Sequence, residues 1–130
     1  MSLRHGFIKK VTKLWGMEFW IANNDLYCGK LLTLNSGFQS SLHYHKKKTE
    51  TFYVVSGEMK LEYVDDNGEI TSEIIRSGGI VDIPPMLAHR FSVPAQYDGS
   101  MATFCNFIEI STHHDDDDSY RIEESKRIGG

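Results

Sequence analysis

From residue 26 to residue 110 the chain alternates short apolar runs with turn residues, and most of those runs carry the period-two pattern of half-buried strands. The pattern predicts eight strands: Leu26 to Leu34, Ser40 to His45, Thr51 to Ser56, Met59 to Val64, Glu69 to Ile75, Ile80 to Ile83, Arg90 to Val93 and Ala102 to Ile110. Asn35-Ser36-Gly37, Ser56-Gly57, Asp66-Asn67-Gly68 and Ser77-Gly78-Gly79 supply the turns between them. Evenly spaced short strands of this kind indicate an all-β sandwich or barrel, and a jelly-roll barrel fits the length and closes most sheet edges. Before the barrel, Trp15 to Ala22 alternates aromatic and polar residues. It reads as an extra strand that either caps the barrel or pairs with a second subunit, with Trp15, Phe19 and Trp20 as anchors. After Ile110 the composition turns acidic, and Tyr120 to Ile128 is expected as a short helix.

The chain has 130 residues, which suits one domain: an N-terminal extension over 1–22, a barrel over 23–110 and an acidic tail over 111–130. A formal net charge of -4 argues against nucleic acid as a general partner. No apolar run approaches a membrane span or a signal peptide, so a cytoplasmic protein without a membrane partner is expected. Cys28 and Cys105 stand far apart and read as small buried hydrophobes.

The chemistry concentrates in His43, His45 and Glu50, with His89 following in a Gly/Pro-marked segment. Neutral imidazoles plus a carboxylate suit a divalent transition metal, and residues at i, i+2 on a strand point the same way. If Lys46 to Thr49 closes a regular hairpin, His45 lies opposite Glu50 and His43 opposite Phe52, so three ligands converge from two paired strands. Zinc, iron, manganese, nickel and copper all fit that donor set, and open positions would remain for substrate.

Gly37, five residues, His43, one residue, His45, four residues, Glu50, six residues and Gly57 resembles the first motif of the cupin superfamily without a departure. Gly78, Pro84 and His89 stand at the second motif, where Met86 replaces its usual glycine and Val93 its usual asparagine. Around the barrel the chain is similar to the C-terminal cupin of type II mannose-6-phosphate isomerases. The likeness is carried by Lys13 to Glu18, Tyr27 to Lys30, Ser41 to His45 with Glu50, and Asp116 to Asp118 with Arg121, Glu123 and Glu124. Those isomerases carry glutamine where this chain has His43.

The resemblance implies a metal held by His43, His45, Glu50 and His89, and aldose-ketose isomerisation of a sugar or sugar phosphate; a homodimer is expected separately. Lys48 stands where the isomerases carry an arginine near the metal motif, which gives it a sugar-oxygen or phosphate contact. Lys46 and Lys47 read as a solvated loop tip. Lys30 lies on a strand and serves an anionic substrate or proton transfer if it faces inward, or is a surface lysine if outward. Lys30 and Glu109 are the candidate bases. His113, His114 and Asp115 to Asp118 read as a solvated acidic loop rather than a second metal site. A cupin dioxygenase and a nonenzymatic sugar-binding or regulatory cupin remain the rival functions.

Overall fold

The computed structural model describes residues 2–94 and 104–128. Its strands are β1 Lys9–Lys13, β2 Gly16–Asn23, β3 Cys28–Asn35, β4 Phe38–Gln39, β5 Leu42–Tyr44, β6 Glu50–Ser56, β7 Glu58–Val64, β8 Ile70–Arg76, β9 Ile80–Ile83, β10 His89–Ser92, β11 Phe104–Ser111, β12 Tyr120–Glu123 and β13 Lys126–Arg127. All pairings are antiparallel. One sheet runs β1-β2-β3-β11-β6-β9. In the other, β10 is flanked by β7 on one side and by β4 and β5 on the other, with β8 outside β7 and β12 and β13 outside β5 and β4. Two antiparallel sheets facing one another across a shared core make a jelly-roll barrel.

The eight expected strands are all present, each shifted by at most a few residues. Ala102 and Thr103, at the start of the last expected strand, lie outside the described residues. Two expectations are overturned. Strands β5 and β6 do not form a hairpin: β5 pairs with β10 and β12, β6 with β11 and β9, and the 45–49 connection crosses from one sheet to the other. Period two fixes which face a residue takes but not which strand lies beside it, and the polar linker is long enough to pass between sheets. The C-terminal helix is also absent. Asp116–Asp118 forms one 3-10 turn, after which Tyr120–Glu123 and Lys126–Arg127 close the edge of the second sheet. The open edges of β5 and β4 offer backbone partners that an isolated helical turn lacks.

Alternation along the central strands builds the interior. On β3 the inward residues are Cys28, Lys30, Leu32 and Leu34; on β6 they are Glu50, Phe52 and Val54; on β11 they are Cys105, Phe107, Glu109 and Ser111. In each case the inward face changes character along the strand. Leu34, Leu32, Val54, Phe52, Phe107 and Phe91 pack one half of the barrel as an apolar plug. Lys30, Glu50, Glu109 and His89 line the other half as a polar cup. Register holds the division: Phe107 pairs with Leu32 and Val54, while two residues on Glu109 pairs with Lys30 and Phe52. The plug is tied by edge-to-face rings, Phe52 to Phe107 at 5.2 Å and Phe91 to Phe107 at 5.1 Å between centroids.

Candidate metal centre

The polar cup opens into a cavity of about 470 Å³. His43 on β5 sits directly across from His89 on β10, because their backbones pair in register. His45 follows two residues after His43, on the same side. One ligand nitrogen from each of His43, His45 and His89 lies within 4.8 Å of the other two, so the three could hold a metal ion. Glu50 reaches the same point from the opposite sheet: its Oε1 is 3.4 Å from His45 Nε2 and its Oε2 3.3 Å from His89 Nε2. The convergence expected from a hairpin is thus achieved by two facing sheets.

Hydrogen bonds set the tautomers. His43 Nδ1 donates to the Ser41 carbonyl at 3.0 Å, His45 Nδ1 to the Asp118 carbonyl at 2.8 Å, and His89 Nδ1 to the Leu87 carbonyl at 2.9 Å. A carbonyl only accepts, so each Nδ1 carries the proton and each Nε2 keeps its lone pair for the site, as metal-binding histidines require. Glu50 Oε2 and His89 Nε2 are buried without a hydrogen-bond partner among the described residues. Such orphaned atoms are costly unless something absent from the chain satisfies them. The donor set and its unmet atoms both fit a divalent cation.

Electrostatics agree with a site built for positive charge. Burial raises the Glu50 carboxyl, but the adjoining His45 and His89 rings and the charge of Lys48 outweigh it and hold the group well below the usual range. Burial, with the charge of His89 next, pushes His43 down to about 3. For His45 burial works downward, and the neighbouring Glu50 carboxylate overcomes it to leave the ring raised.

Lys30, Lys48 and Glu109 all face this cavity. Lys30 is 2% exposed, with Nζ 3.8 Å from Glu18 Oε1 and 4.1 Å from the Trp20 ring centre. Lys48 Nζ contacts Glu109 Oε2 at 2.6 Å, Glu50 Oε1 at 3.2 Å and His114 Nδ1 at 2.8 Å. Burial lowers the lysine, and the two carboxylates more than restore it. Lys46 and Lys47 are exposed at the loop tip, as expected. Arg121 lines the cavity mouth while pairing with Glu124 at 3.0 Å. Tyr44 turns from the site and stacks on Tyr120. Trp15 belongs to the core, edge-on to Phe91.

The solvated reading of the acidic run holds for His113 and Asp115 to Asp117, which are exposed, and is corrected for His114 and Asp118. Asp118 is 8% exposed, and its carboxylate accepts from the backbone N–H groups of Lys46, Lys47 and Lys48. His114 enters the cavity, donating from Nε2 to Asp116 at 2.8 Å. Repulsion between consecutive aspartates is offset here by three backbone donors that the linker leaves free. Glu18 was also missed as a cavity residue, although its place on an alternating strand between aromatics was a usable signal.

The family model for the Cupin domain matches residues 30–103, more than half of the chain. The chain belongs to the cupin family. No curated protein matches it. Among solved structures, it is similar to the capsular polysaccharide assembling protein CapF from Staphylococcus aureus, at 22% identity and a TM-score of 0.75 over 92% of this cupin and 32% of CapF. It is also similar to oxalate decarboxylase OxdC from Bacillus subtilis, at 16% identity and a TM-score of 0.73 over 88% of this cupin and 30% of OxdC. This cupin therefore spans about a third of the length of those chains, and at such identities the likeness carries the fold alone.

Proposed function

We propose that this cupin is a metal-dependent enzyme acting on a sugar or sugar phosphate, as an aldose-ketose isomerase of the mannose-6-phosphate isomerase type. The observation that carries the reading is the convergence of one ligand nitrogen each from His43, His45 and His89 with Glu50, beside a polar cavity that also holds the two lysine–carboxylate pairs Lys48–Glu109 and Lys30–Glu18. His43, His45, Glu50 and His89 would hold the metal, which supplies Lewis-acid stabilisation of charge on substrate oxygen. Glu109 is the base that takes a proton from the carbon beside the carbonyl and returns it to the former carbonyl carbon, while the hydroxyl proton of the first carbon passes to the carbonyl oxygen. Lys48 holds the Glu109 carboxylate in place through its 2.6 Å contact, and Ser111 Oγ donates to the same oxygen at 2.9 Å. Lys30 positions a substrate oxygen from the far wall.

The test is a coupled screen of aldoses, ketoses and their phosphates with metal-loaded protein, using His45→Ala as control. Turnover that persists without metal and without His45 would sink this mechanism. One observation favours a second reading: the three-histidine face, with His43 where the isomerases have glutamine, also suits iron and oxygen chemistry. Oxygen uptake by iron-loaded protein with small acids or thiols, and no sugar turnover, would move the assignment to a dioxygenase. Binding of sugar without either reaction would mark a binding protein.

The homodimer in this reading is supported by the outer face of the six-stranded sheet. There Phe19, Leu31, Ile108, Tyr53 and Ile80 form one cross-strand row, with Ile80 64% and Tyr53 40% exposed. The free, buried Cys28 and Cys105 support a reducing, cytoplasmic setting. No helix among the described residues is long and apolar enough to cross a membrane.

A further inference from the structure

Most positive charges of the cavity stand beside a carboxylate. Lys30 lies against Glu18, Lys48 against Glu109 and Glu50, and Arg121 against Glu124. Lys13, the remaining lysine of the lining, is half-buried and makes no ion pair among the described residues. The run of backbone N–H groups beside the site, at Lys46, Lys47 and Lys48, is filled by the Asp118 carboxylate. A phosphate dianion is held by uncommitted cations or clustered backbone donors. Among the described residues of this cavity, Lys13 alone of those groups lacks an internal carboxylate.

A hydroxyl asks for something different. Its oxygen accepts from a donor while its proton goes to an acceptor, so an ammonium beside a carboxylate suits it on both counts. The cavity holds two such pairs, Lys30 with Glu18 and Lys48 with Glu109. Lys30 is the more telling. Its side chain is buried, yet Nζ makes no hydrogen bond among the described residues, its carboxylate being 3.8 Å away and its other neighbour the face of Trp20. Three N–H donors in a desolvated site are costly when unmet, and a ligand oxygen lodged between Lys30 and Glu18 would meet them. Trp15, Phe52 and Phe91, also in the lining, offer apolar surface to the C–H groups of such a ligand.

We propose that the cavity takes an uncharged polyhydroxylated ligand, a free sugar rather than its phosphate ester, with one hydroxyl read by Lys30 and Glu18 and another by Lys48 and Glu109. This rests on the sugar reading above and narrows it. The experiment compares mannose and fructose with their phosphate esters, by calorimetry and by turnover, on the metal-loaded full chain, with inorganic phosphate as competitor. Free sugars are expected to bind more tightly than the esters by about tenfold or more, the scale of one charge-assisted contact. Inorganic phosphate should not displace them.

Glu18→Gln frees the Lys30 charge while keeping an acceptor for Trp20, so it should shift preference towards the ester by about tenfold with metal content unchanged. Lys30→Met, which fills the same space without charge, should weaken free-sugar binding by a similar factor and serves if the Gln variant does not fold. Tighter binding of the esters, with turnover, would overturn this inference and leave the isomerase reading standing. Failure of every sugar, free or esterified, to bind would overturn both. An ester-to-sugar ratio that Glu18→Gln does not move would also refute the proposed pairing.

Discussion

His45 shows how much one side chain is asked to do. Its Nδ1 is spent on the Asp118 carbonyl and its Nε2 faces Glu50 at 3.4 Å, so ring orientation and lone-pair direction are both fixed before any ligand arrives. His45→Ala is expected to lower metal affinity by about tenfold or more, read by competition with a chromogenic chelator; unchanged affinity would remove this residue from the site. His43 gives a pH signature. The folded chain keeps its ring neutral down to about 3, whereas the unfolded chain protonates it below its ordinary 6.5. The unfolded state therefore binds more protons in that window. The His43 contribution to stability of the metal-free protein should be full above pH 6.5 and fall as pH drops towards 3; the depressed Glu50 adds a loss of the same sign below 4.5, and the raised His45 works in the opposite sense, its contribution fading as pH rises above 6.5. Urea midpoints across that range measure it, and a midpoint flat from neutral to acid would contradict the burial of His43.

At the level of elements, the C-terminal segment clasps the crossing loop. Asp118 caps three consecutive backbone N–H groups there, so Asp118→Ala should destabilise the fold by about 1–2 kcal/mol and weaken metal binding as well, with Asp118→Asn between the two. Chemical denaturation and metal titration of the three proteins check this together. Met86, which replaces the usual glycine of the second motif, sits at φ 72 with its N–H donating to the His45 carbonyl at 2.6 Å. Met86→Gly relieves that left-handed strain at some cost in chain entropy, for an expected gain of about 0.5 kcal/mol in the denaturation midpoint. Strands were legible in the sequence because period two is local, although the direction of Lys30 was left open there and is inward in the fold. Strand partners were not: His43 across from His89, and Glu50 beside Ser111 and Ile83, depend on which edges the chain leaves open for later strands. The histidines and Glu50 were found by spacing alone, whereas the role of Asp118 rests on a backbone cap some 70 residues distant in sequence, which no local pattern records.

For the whole molecule, the division of the barrel into plug and cup separates what folds from what reacts. Substitutions in the cup at Lys30 or Glu109 should alter ligand binding more than stability, while the plug residue Phe107, fully buried, should cost about 3–5 kcal/mol as Phe107→Ala. A chelator should lower the melting temperature of the metal-loaded form, since a cation at 100 times its dissociation constant contributes about 2.7 kcal/mol. The apolar outer row should bury itself against a second copy, so Tyr53→Asp with Ile80→Asp is expected to halve the mass measured by light scattering; an unchanged mass would assign that face another role. The clasp by Asp118 has a consequence in time. A ribosome releases His43, His45, Glu50 and His89 well before residue 118, so a nascent chain carries every candidate ligand while His45 still lacks the carbonyl that aims it. Ordered capture of the ion waits for the tail, and a chain cut short before Asp118 would expose four metal-seeking groups with no loop to hold them.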